Sequence, residues 1–219
     1  MKIDWFALAL PMTEIATHID QLFAAELQFR LASAVRLAVT ADTQPLDLPM
    51  EWTHGEHKIR YEEMALRKDQ AGFAAALMHH SAVYMMAVAM KDAISAAVPH
   101  PDRSADPNVQ AAFQISRLIR NAFAHGPFNP VWKISENLRD RIIKVRDIIS
   151  LDTTNLNDEV FDWRHYGGPI AMLRLCQYVR LEILRDSRRP RRVIPFPKNI
   201  YYQQGDQILK RITKPSKKK

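Results

Sequence analysis

The chain has 219 residues, of which 47% are hydrophobic and 25% charged, proportions typical of a soluble globular protein with a buried core. Its 6 glycines are too few for a β-sandwich, a Rossmann fold or a glycine-rich nucleotide-binding loop. Its single cysteine excludes an intramolecular disulfide framework and a cysteine-based structural zinc site.

The net charge of +7 is concentrated near the C-terminus. From Arg185 onward there are 12 Lys/Arg and 2 Asp/Glu, whereas the preceding residues hold 19 Lys/Arg and 22 Asp/Glu. A basic tail is typical of proteins that bind nucleic acid or another anionic surface. It is equally typical of a solvated terminus that keeps a protein soluble, so both interpretations stay open.

The N-terminal apolar run lacks the basic region and the small-residue cleavage site of a secretion signal. The longest apolar stretch, residues 73–90, contains His79 and His80 and ends at charged residues. That composition favours a buried helix over a membrane span. We therefore expect a cytoplasmic protein that makes no use of a membrane.

Prolines cluster at 45–49, 99–107, 127–130 and 190–197, and the proline-free runs between them predict the helices in chain order. The first helix is predicted over 13–41, with Thr13 as N-cap. The second covers 56–98 as one very long helix or two, with a bend expected at Gly72. The third covers 106–125, with Asp106 as N-cap and Pro107 in the first turn, and the fourth covers 169–186.

Residues 128–168 have an ambiguous pattern. Segments 131–134, 141–151 and 160–163 are consistent with short strands, with a turn over 152–158. The spacing of Leu138, Ile142, Val145 and Ile149 also fits a helix. We favour strands, and so predict an all-α fold, a four-main-helix bundle with a small β-containing insert between helices 3 and 4. The helical domain is expected over 1–188, followed by a basic, proline-containing and partly disordered tail over 189–219.

The end of the third helix carries the residues best suited to chemistry. Arg117, Asn121 and His125 lie at i, i+4 and i+8 and are expected to share one helix face, with Arg120 at its edge beside Arg117. Guanidinium forks match phosphate oxygens, and a histidine at a helix C-terminus is favoured in its protonated form. On many helices, however, such side chains only satisfy the last carbonyl groups.

The segment Arg120-Asn121-Ala122-Phe123-Ala124-His125 resembles the signature of the HEPN superfamily, the higher eukaryote and prokaryote nucleotide-binding domains. That signature is an arginine, usually followed by a polar residue, and a histidine after four to six intervening residues, near the end of the third main helix. The block from Leu151 to Pro169 is also similar to bacterial and plasmid-borne branches. The resemblance covers roughly residues 10–188 and leaves out the basic tail.

This resemblance implies a metal-independent endoribonuclease of the toxin–antitoxin or phage-defence type. Arg120 would stabilise the transferring phosphoryl group, His125 would act as general acid or base, and Asn121 would position the phosphate or the histidine. Two protomers would contribute their motifs to one composite site, so a homodimer is expected, with no cofactor and no metal. Some HEPN domains only bind RNA or nucleotides, and a non-catalytic binding module is therefore the alternative.

RNA is the expected partner, and an antitoxin or a nucleotidyltransferase-like protein is a further partner suggested by the resemblance. The residues proposed to contact RNA outside the motif are basic side chains, namely Arg117, Arg188, Arg189, Arg191 and Arg192. A third interpretation, a purely structural helical dimer, predicts no salt-dependent affinity for RNA.

Other chemically active residues are expected to be structural. Adjacent His79 and His80 point about 100° apart on a helix, so we interpret them as core or interface residues rather than as ligands of one metal. The cluster of His54, Glu56 and His57 matches no compact metal site. His165 precedes Tyr166 and a Gly-Gly-Pro turn, where a role near the motif is the less favoured alternative. Trp132, Trp163 and Cys176 are expected in the core.

Overall fold

The computed structural model describes residues 14–42, 51–60, 66–124 and 126–186. Within these ranges, it describes only the backbone of residues 14, 52, 54 and 59. The helices are α1 (Glu14–Thr40), α2 (Lys68–Ala97), α3 (Pro107–Ala124) and α4 (Gly168–Tyr178). The strands are β1 (Glu51–His54), β2 (His57–Arg60), β3 (Ile142–Val145) and β4 (Ile149–Asp152). Short 3₁₀ turns cover Pro101–Arg103, Glu136–Leu138 and Trp163–Tyr166. The predicted mainly α-helical fold is confirmed at this level.

The prediction of helix from residue 56 onward is wrong at its start. Residues 51–60 form the antiparallel hairpin β1–β2, in which Glu51 pairs with Arg60 and His54 with His57. Gly55 turns the chain with φ 63°, a conformation that glycine adopts without steric cost. Helix α2 begins only at Lys68 and continues through Gly72, where a bend was expected.

Helices α1, α2 and α3 surround the main part of the core. Helix α2 packs against both α1 and α3, and α1 also contacts α4. The buried positions of α2 are mainly small or flexible apolar residues: Ala75, Ala82, Val83, Met86, Ala87, Met90, Ala93 and Ile94. Alanines allow neighbouring helices to approach closely, and methionines fill the irregular space between them. His79 is buried on the same helix among these apolar side chains.

Helix α3 begins where the sequence predicts. The Asp106 carboxylate accepts a hydrogen bond from the backbone N–H of Asn108 at 2.8 Å, and Pro107 occupies the first helical position. This side chain satisfies one of the N–H groups that a helix start leaves unpaired. The helix ends at Ala124, and the Gly126 N–H donates to the carbonyl of Phe123 at 3.2 Å.

The segment between α3 and α4 contains the predicted small sheet in a reduced form. Strands β3 and β4 form a hairpin in which Val145 pairs with Ile149, so the helical alternative for this stretch is wrong. The other two predicted strands contribute only an isolated bridge between Val131 and Val160. The segment is anchored by Trp132, which is fully buried, and Trp163 packs at the edge of the same core.

The fourth predicted helix is present, but its hydrogen-bond pattern changes from α-helical to π-helical near its C-terminal end. Helix α4 ends at Tyr178 and continues as a π-helical turn over Val179–Ile183, in which the Leu184 N–H donates to the Val179 carbonyl at 2.9 Å. In this turn Arg180 is buried and forms an ion pair with Glu26 of α1, Nη1 to Oε2 at 2.8 Å. This buried pair joins the end of α4 to α1. The predicted tail, residues 189–219, lies outside the described residues.

Of the described helices, α2 alone has the length and apolar composition that would let a helix cross a membrane. Within its most apolar window, 39% of the residues are buried inside the fold. Because the core helix of a soluble protein has the same properties, α2 is weak evidence for a span, and its packing against α1 and α3 is compatible with a soluble protein.

Candidate functional site

The described part of the predicted motif lies at the C-terminal end of α3. Arg120 is exposed to solvent, and Asn121 is partly buried. The Arg120 guanidinium donates a hydrogen bond from Nη1 to Oδ1 of Asn121 at 3.0 Å. The asparagine side chain therefore holds the guanidinium near the helix end, while the remaining N–H groups of Arg120 are left for other acceptors.

Arg117 lies one turn earlier on α3 and is partly buried. Its Nε is shielded from solvent and has no hydrogen-bond partner within the described residues. A guanidinium nitrogen in such a position normally has an acceptor, so Arg117 retains donor capacity close to the motif. The structure thus brings Arg120 and Asn121 into contact, but it records no hydrogen bond from Arg117 to either of them.

Several predicted site residues lie outside the described residues: His125 of the motif and the tail residues Arg188, Arg189, Arg191 and Arg192. Their roles stay predictions. Of the group His54, Glu56 and His57, which was not expected to form a compact metal site, Glu56 and His57 are exposed on the β1–β2 hairpin, and the side chain of His54 lies outside the described part of the chain. In the described part of the chain, no three His, Cys, Asp or Glu side chains are grouped to hold a metal ion.

The structure brings together a second cluster of polar residues that the sequence does not predict as a site. A pocket of about 150 Å³ lies between α1, α2 and the segment that leads into α4. It is lined by Arg36 from α1, by His79, His80 and Val83 from α2, and by Phe161, Asp162, Trp163 and Tyr166 from that segment. The sequence predicts both histidines in the core or at an interface. His79 is buried, and both histidines also line this pocket.

The pocket is electrostatically unusual because a cation faces neutral histidines. Arg36 Nη1 lies 3.2 Å from Nδ1 of His79, and since a guanidinium can only donate, His79 Nδ1 must be the acceptor. Burial, followed by the charges of Arg36 and His80, lowers the pKa of His79 to about 4. Burial and the charge of Arg36 also lower the pKa of His80. Both imidazoles are therefore neutral at neutral pH.

On the opposite wall, Tyr166 is fully buried and Asp162 is partly buried. Burial, followed by the charge of Asp162, raises the pKa of the Tyr166 phenol, which therefore remains protonated. Both carboxylate oxygens of Asp162 accept hydrogen bonds from Arg164, Oδ1 from its backbone N–H and Oδ2 from Nε at 2.8 Å each. These hydrogen bonds lower the pKa of Asp162 and offset its charge.

An aromatic cluster separates this pocket from the motif. Phe123, which lies inside the motif segment, packs against His80 with ring centroids 5.7 Å apart and against Phe161 at 4.7 Å. Phe161 continues the cluster to Trp132 at 5.1 Å. The pocket and the end of α3 therefore share an aromatic wall.

His165 lies beside this cluster and makes a specific contact. The Trp132 indole donates from Nε1 to Nδ1 of His165 at 2.9 Å. Because the indole nitrogen is a donor only, His165 Nδ1 is unprotonated and any proton of the neutral ring is on Nε2. The contact fixes the loop before α4 against the core, which is a structural role.

A histidine pair within an apolar helix is the sequence signal that could have indicated the pocket, because buried polar side chains require partners. The partner of His79 is 43 residues away on another helix, and local spacing does not reveal it. Comparisons with protein-family models, with curated proteins and with solved structures found no match to the chain.

Proposed function

We propose that the protein is a metal-independent endoribonuclease of the HEPN type. The observation that supports this most directly is the contact of exposed Arg120 with Asn121 at the C-terminal end of α3, and Arg120 lies five residues before His125 in the sequence. An exposed guanidinium oriented by a neighbouring amide is suited to bind a phosphate of an RNA backbone. Its place on the third of four main helices agrees with the resemblance of the motif.

The proposed reaction uses groups that RNA itself supplies. The ribose 2′-oxygen attacks the adjacent phosphorus and loses its proton to a base, the bond from phosphorus to the 5′-oxygen breaks, and that oxygen receives a proton. His125 serves as the base or the acid, and Arg120 stabilises the charge on the non-bridging oxygens. The products are a 2′,3′-cyclic phosphate and a 5′-hydroxyl. Arg117, Arg188, Arg189, Arg191 and Arg192 are proposed to bind the flanking backbone.

We further propose that two copies of the chain combine their motifs, and that the protein acts in the cytoplasm as a toxin or defence effector restrained by a partner protein. Exposed apolar side chains support the pairing of two copies. Leu27 and Leu31, one turn apart on α1, are 51% and 64% exposed. Contiguous exposed apolar residues of this kind are typical of surfaces that a partner covers. Light scattering after size exclusion tests whether the mass in solution is that of a dimer.

The test of activity compares the parent protein with Arg120→Ala and His125→Ala variants on total RNA and on transfer RNA in EDTA. Loss of a general acid or base is expected to slow cleavage by about 10²–10⁴-fold. Arg103→Ala is the matched control, because Arg103 is an exposed arginine in the 3₁₀ turn before α3, at the opposite end from the motif. The parent and the control are expected to produce cyclic phosphate ends at equal rates.

Each outcome separates the alternatives. Cleavage that is lost in both motif variants, with RNA binding largely kept in His125→Ala, supports the proposal. Salt-dependent RNA binding by a parent that cleaves nothing supports the non-catalytic binding module instead. Equal cleavage by the parent and both motif variants overturns the assignment of the site to the end of α3.

A further inference from the structure

We propose that the pocket lined by Arg36, His79, His80, Asp162 and Tyr166 binds a small tetrahedral oxoanion, with phosphate as the chemical class. This site is separate from the end of α3, and the proposal does not depend on whether the protein cleaves RNA. The phosphate group can belong to free phosphate or to a nucleotide, and the experiment below distinguishes these sources.

The first argument is the guanidinium of Arg36. It is partly buried, and within the described residues its side chain bonds to the neutral Nδ1 of His79, with no carboxylate beside it in an ion pair. A cation that is partly removed from water without a counter-charge is disfavoured, whereas buried charges in folded proteins are normally paired. An anion in the adjacent pocket would supply the missing counter-charge.

The second argument is the set of unused polar atoms in the pocket wall. The hydroxyl of Tyr166 and Nδ1 of His80 are both shielded from solvent, and neither has a hydrogen-bond partner within the described residues. Leaving a buried polar atom unpaired costs about 1–3 kcal/mol. Because the Tyr166 phenol stays protonated, it can donate to an oxyanion, and it is fully buried at the pocket wall.

The third argument is charge balance and size. The carboxylate of Asp162 does not repel an anion strongly, because Arg164 donates to both of its oxygens. The pocket volume of about 150 Å³ is well above the roughly 10–15 Å³ that a single water requires. The space therefore accommodates one tetrahedral oxoanion, and the Arg36 fork supplies the N–H geometry that phosphate oxygens prefer.

His79 and His80 have different roles in this arrangement. His79 accepts from Arg36 and so positions the guanidinium at the pocket wall. His80 lines the pocket together with Arg36, His79, Asp162 and Tyr166. Burial and the charge of Arg36 hold His80 neutral, and a bound anion would offset the effect of that charge. Anion binding is therefore expected to tighten as the pH falls and His80 gains a proton.

The experiment is titration calorimetry of the full chain with sulfate, inorganic phosphate and a 5′-mononucleotide at constant ionic strength. Sulfate keeps its charge over the range from about pH 8 to about pH 6, so a pH dependence of its binding reports the protein. One sulfate per chain is expected, with affinity reduced at least about tenfold by Arg36→Met. Arg103→Met is the control for the loss of an exposed positive charge and should leave the affinity unchanged.

Tyr166→Phe provides a second variant, whose result does not depend on whether the fold tolerates a substitution at Arg36. It removes a hydroxyl that has no partner within the described residues, so without anion the variant is expected to be as stable as the parent or more stable. Its rise in melting temperature on addition of sulfate should be smaller than that of the parent. His80→Gln should flatten the pH dependence of sulfate binding.

The Arg120→Ala variant distinguishes this site from the proposed nuclease site. It is expected to lose cleavage and to bind sulfate as the parent does. If Arg120→Ala loses sulfate binding while Arg36→Met and Tyr166→Phe retain it, the anion binds at the end of α3 and the pocket proposal is overturned. Absence of saturable binding to the parent also overturns it, and the pocket then holds only water. Tighter binding of the mononucleotide than of phosphate identifies a nucleotide as the source of the phosphate group.

Discussion

Arg36 and His79 meet across the interface of α1 and α2, with Nη1 of the arginine 3.2 Å from Nδ1 of the histidine. The contact requires an unprotonated Nδ1, because protonation would place two donors and two positive charges against each other. His79 is only 3% exposed, so water does little to screen that repulsion. The packing of α1 on α2 therefore favours the neutral form of the imidazole.

The first prediction is that the free energy of unfolding falls as the solution is acidified from pH 7 to pH 5. The folded pKa of His79 is about 4, below the value of 6.5 for a free histidine, so in this range the unfolded chain binds the proton more strongly. The stabilisation is complete above pH 6.5 and is lost as the pH falls towards 4. Between pH 7 and pH 5 the loss amounts to about 2 kcal/mol.

Urea unfolding of the parent and of His79→Gln at both pH values measures this contribution. Glutamine retains an acceptor for Arg36 but does not titrate, so the variant should lose about 2 kcal/mol less on acidification than the parent. His57→Gln is the control, because His57 is exposed on the β1–β2 hairpin. Identical pH dependence in the parent and His79→Gln would show that His79 titrates normally.

The elements that could be predicted from the sequence are those with strong local signals. The start of α3 was predictable because Asp106 and Pro107 each suit one backbone position at a helix start, and the Asp106 cap is present. The β1–β2 hairpin was missed because its strands have only four residues each and its turn depends on one glycine, Gly55. Over such a short stretch, helical and strand patterns are difficult to distinguish.

The two candidate sites also differ in whether local sequence signals could predict them. The contact of Arg120 with Asn121 joins neighbouring residues on one helix, so the sequence could place them together. The pocket joins Arg36, His80 and Tyr166 from three separate parts of the chain, and only the packing of α1 on α2 and of the segment before α4 brings them to one place. Spacing along a sequence contains no information about such contacts when they are formed by tertiary packing.

The second prediction concerns the buried ion pair of Arg180 and Glu26, whose side chains are 3% and 2% exposed. Arg180→Met is expected to lower the free energy of unfolding by up to about 3–5 kcal/mol, because it leaves the buried Glu26 carboxylate with Arg30, whose side chain is 50% exposed, as its other ion-pair partner. The double variant Glu26→Met/Arg180→Met should be considerably more stable than Arg180→Met, since it removes both charges together. Urea unfolding of the parent and the variants measures the difference.

The exposed Arg103→Met again serves as control for the loss of one positive charge and should change the stability by less than about 0.5 kcal/mol. If the double variant is no more stable than Arg180→Met, then packing of the arginine side chain, rather than its charge, stabilises the π-helical end of α4.

The third prediction concerns Thr153, whose buried hydroxyl holds the β3–β4 hairpin to the preceding 3₁₀ turn. Its Oγ1 accepts from the N–H of Arg141 at 3.0 Å and lies 2.6 Å from the carbonyl oxygen of Leu138, to which it donates. Thr153→Val keeps the shape but leaves both backbone groups without this partner, so a loss of about 1–3 kcal/mol is expected. Thr154→Val, at the exposed neighbouring position, removes a hydroxyl that is hydrogen-bonded to exposed Asp152 and should cost less than about 0.5 kcal/mol. Equal losses at the two positions in thermal or urea unfolding would show that the buried hydroxyl is dispensable.

The fourth prediction is that Cys176 does not react with thiol reagents while the protein is folded. Its side chain is fully buried on α4 with Sγ 3.8 Å from the carbonyl oxygen of Leu22, and burial together with the charge of Glu26 raises the pKa of the thiol to about 12. Because the thiolate is the reactive form, burial and the raised pKa both suppress the reaction. An aromatic disulfide reagent should release no colour from the native protein at pH 8 and one equivalent after unfolding in urea, since Cys176 is the only cysteine in the chain. Arg180→Met should react faster than the parent, because its destabilised fold opens more often. Equal rates for the two proteins would show that Cys176 becomes exposed without opening of the α1–α4 contact.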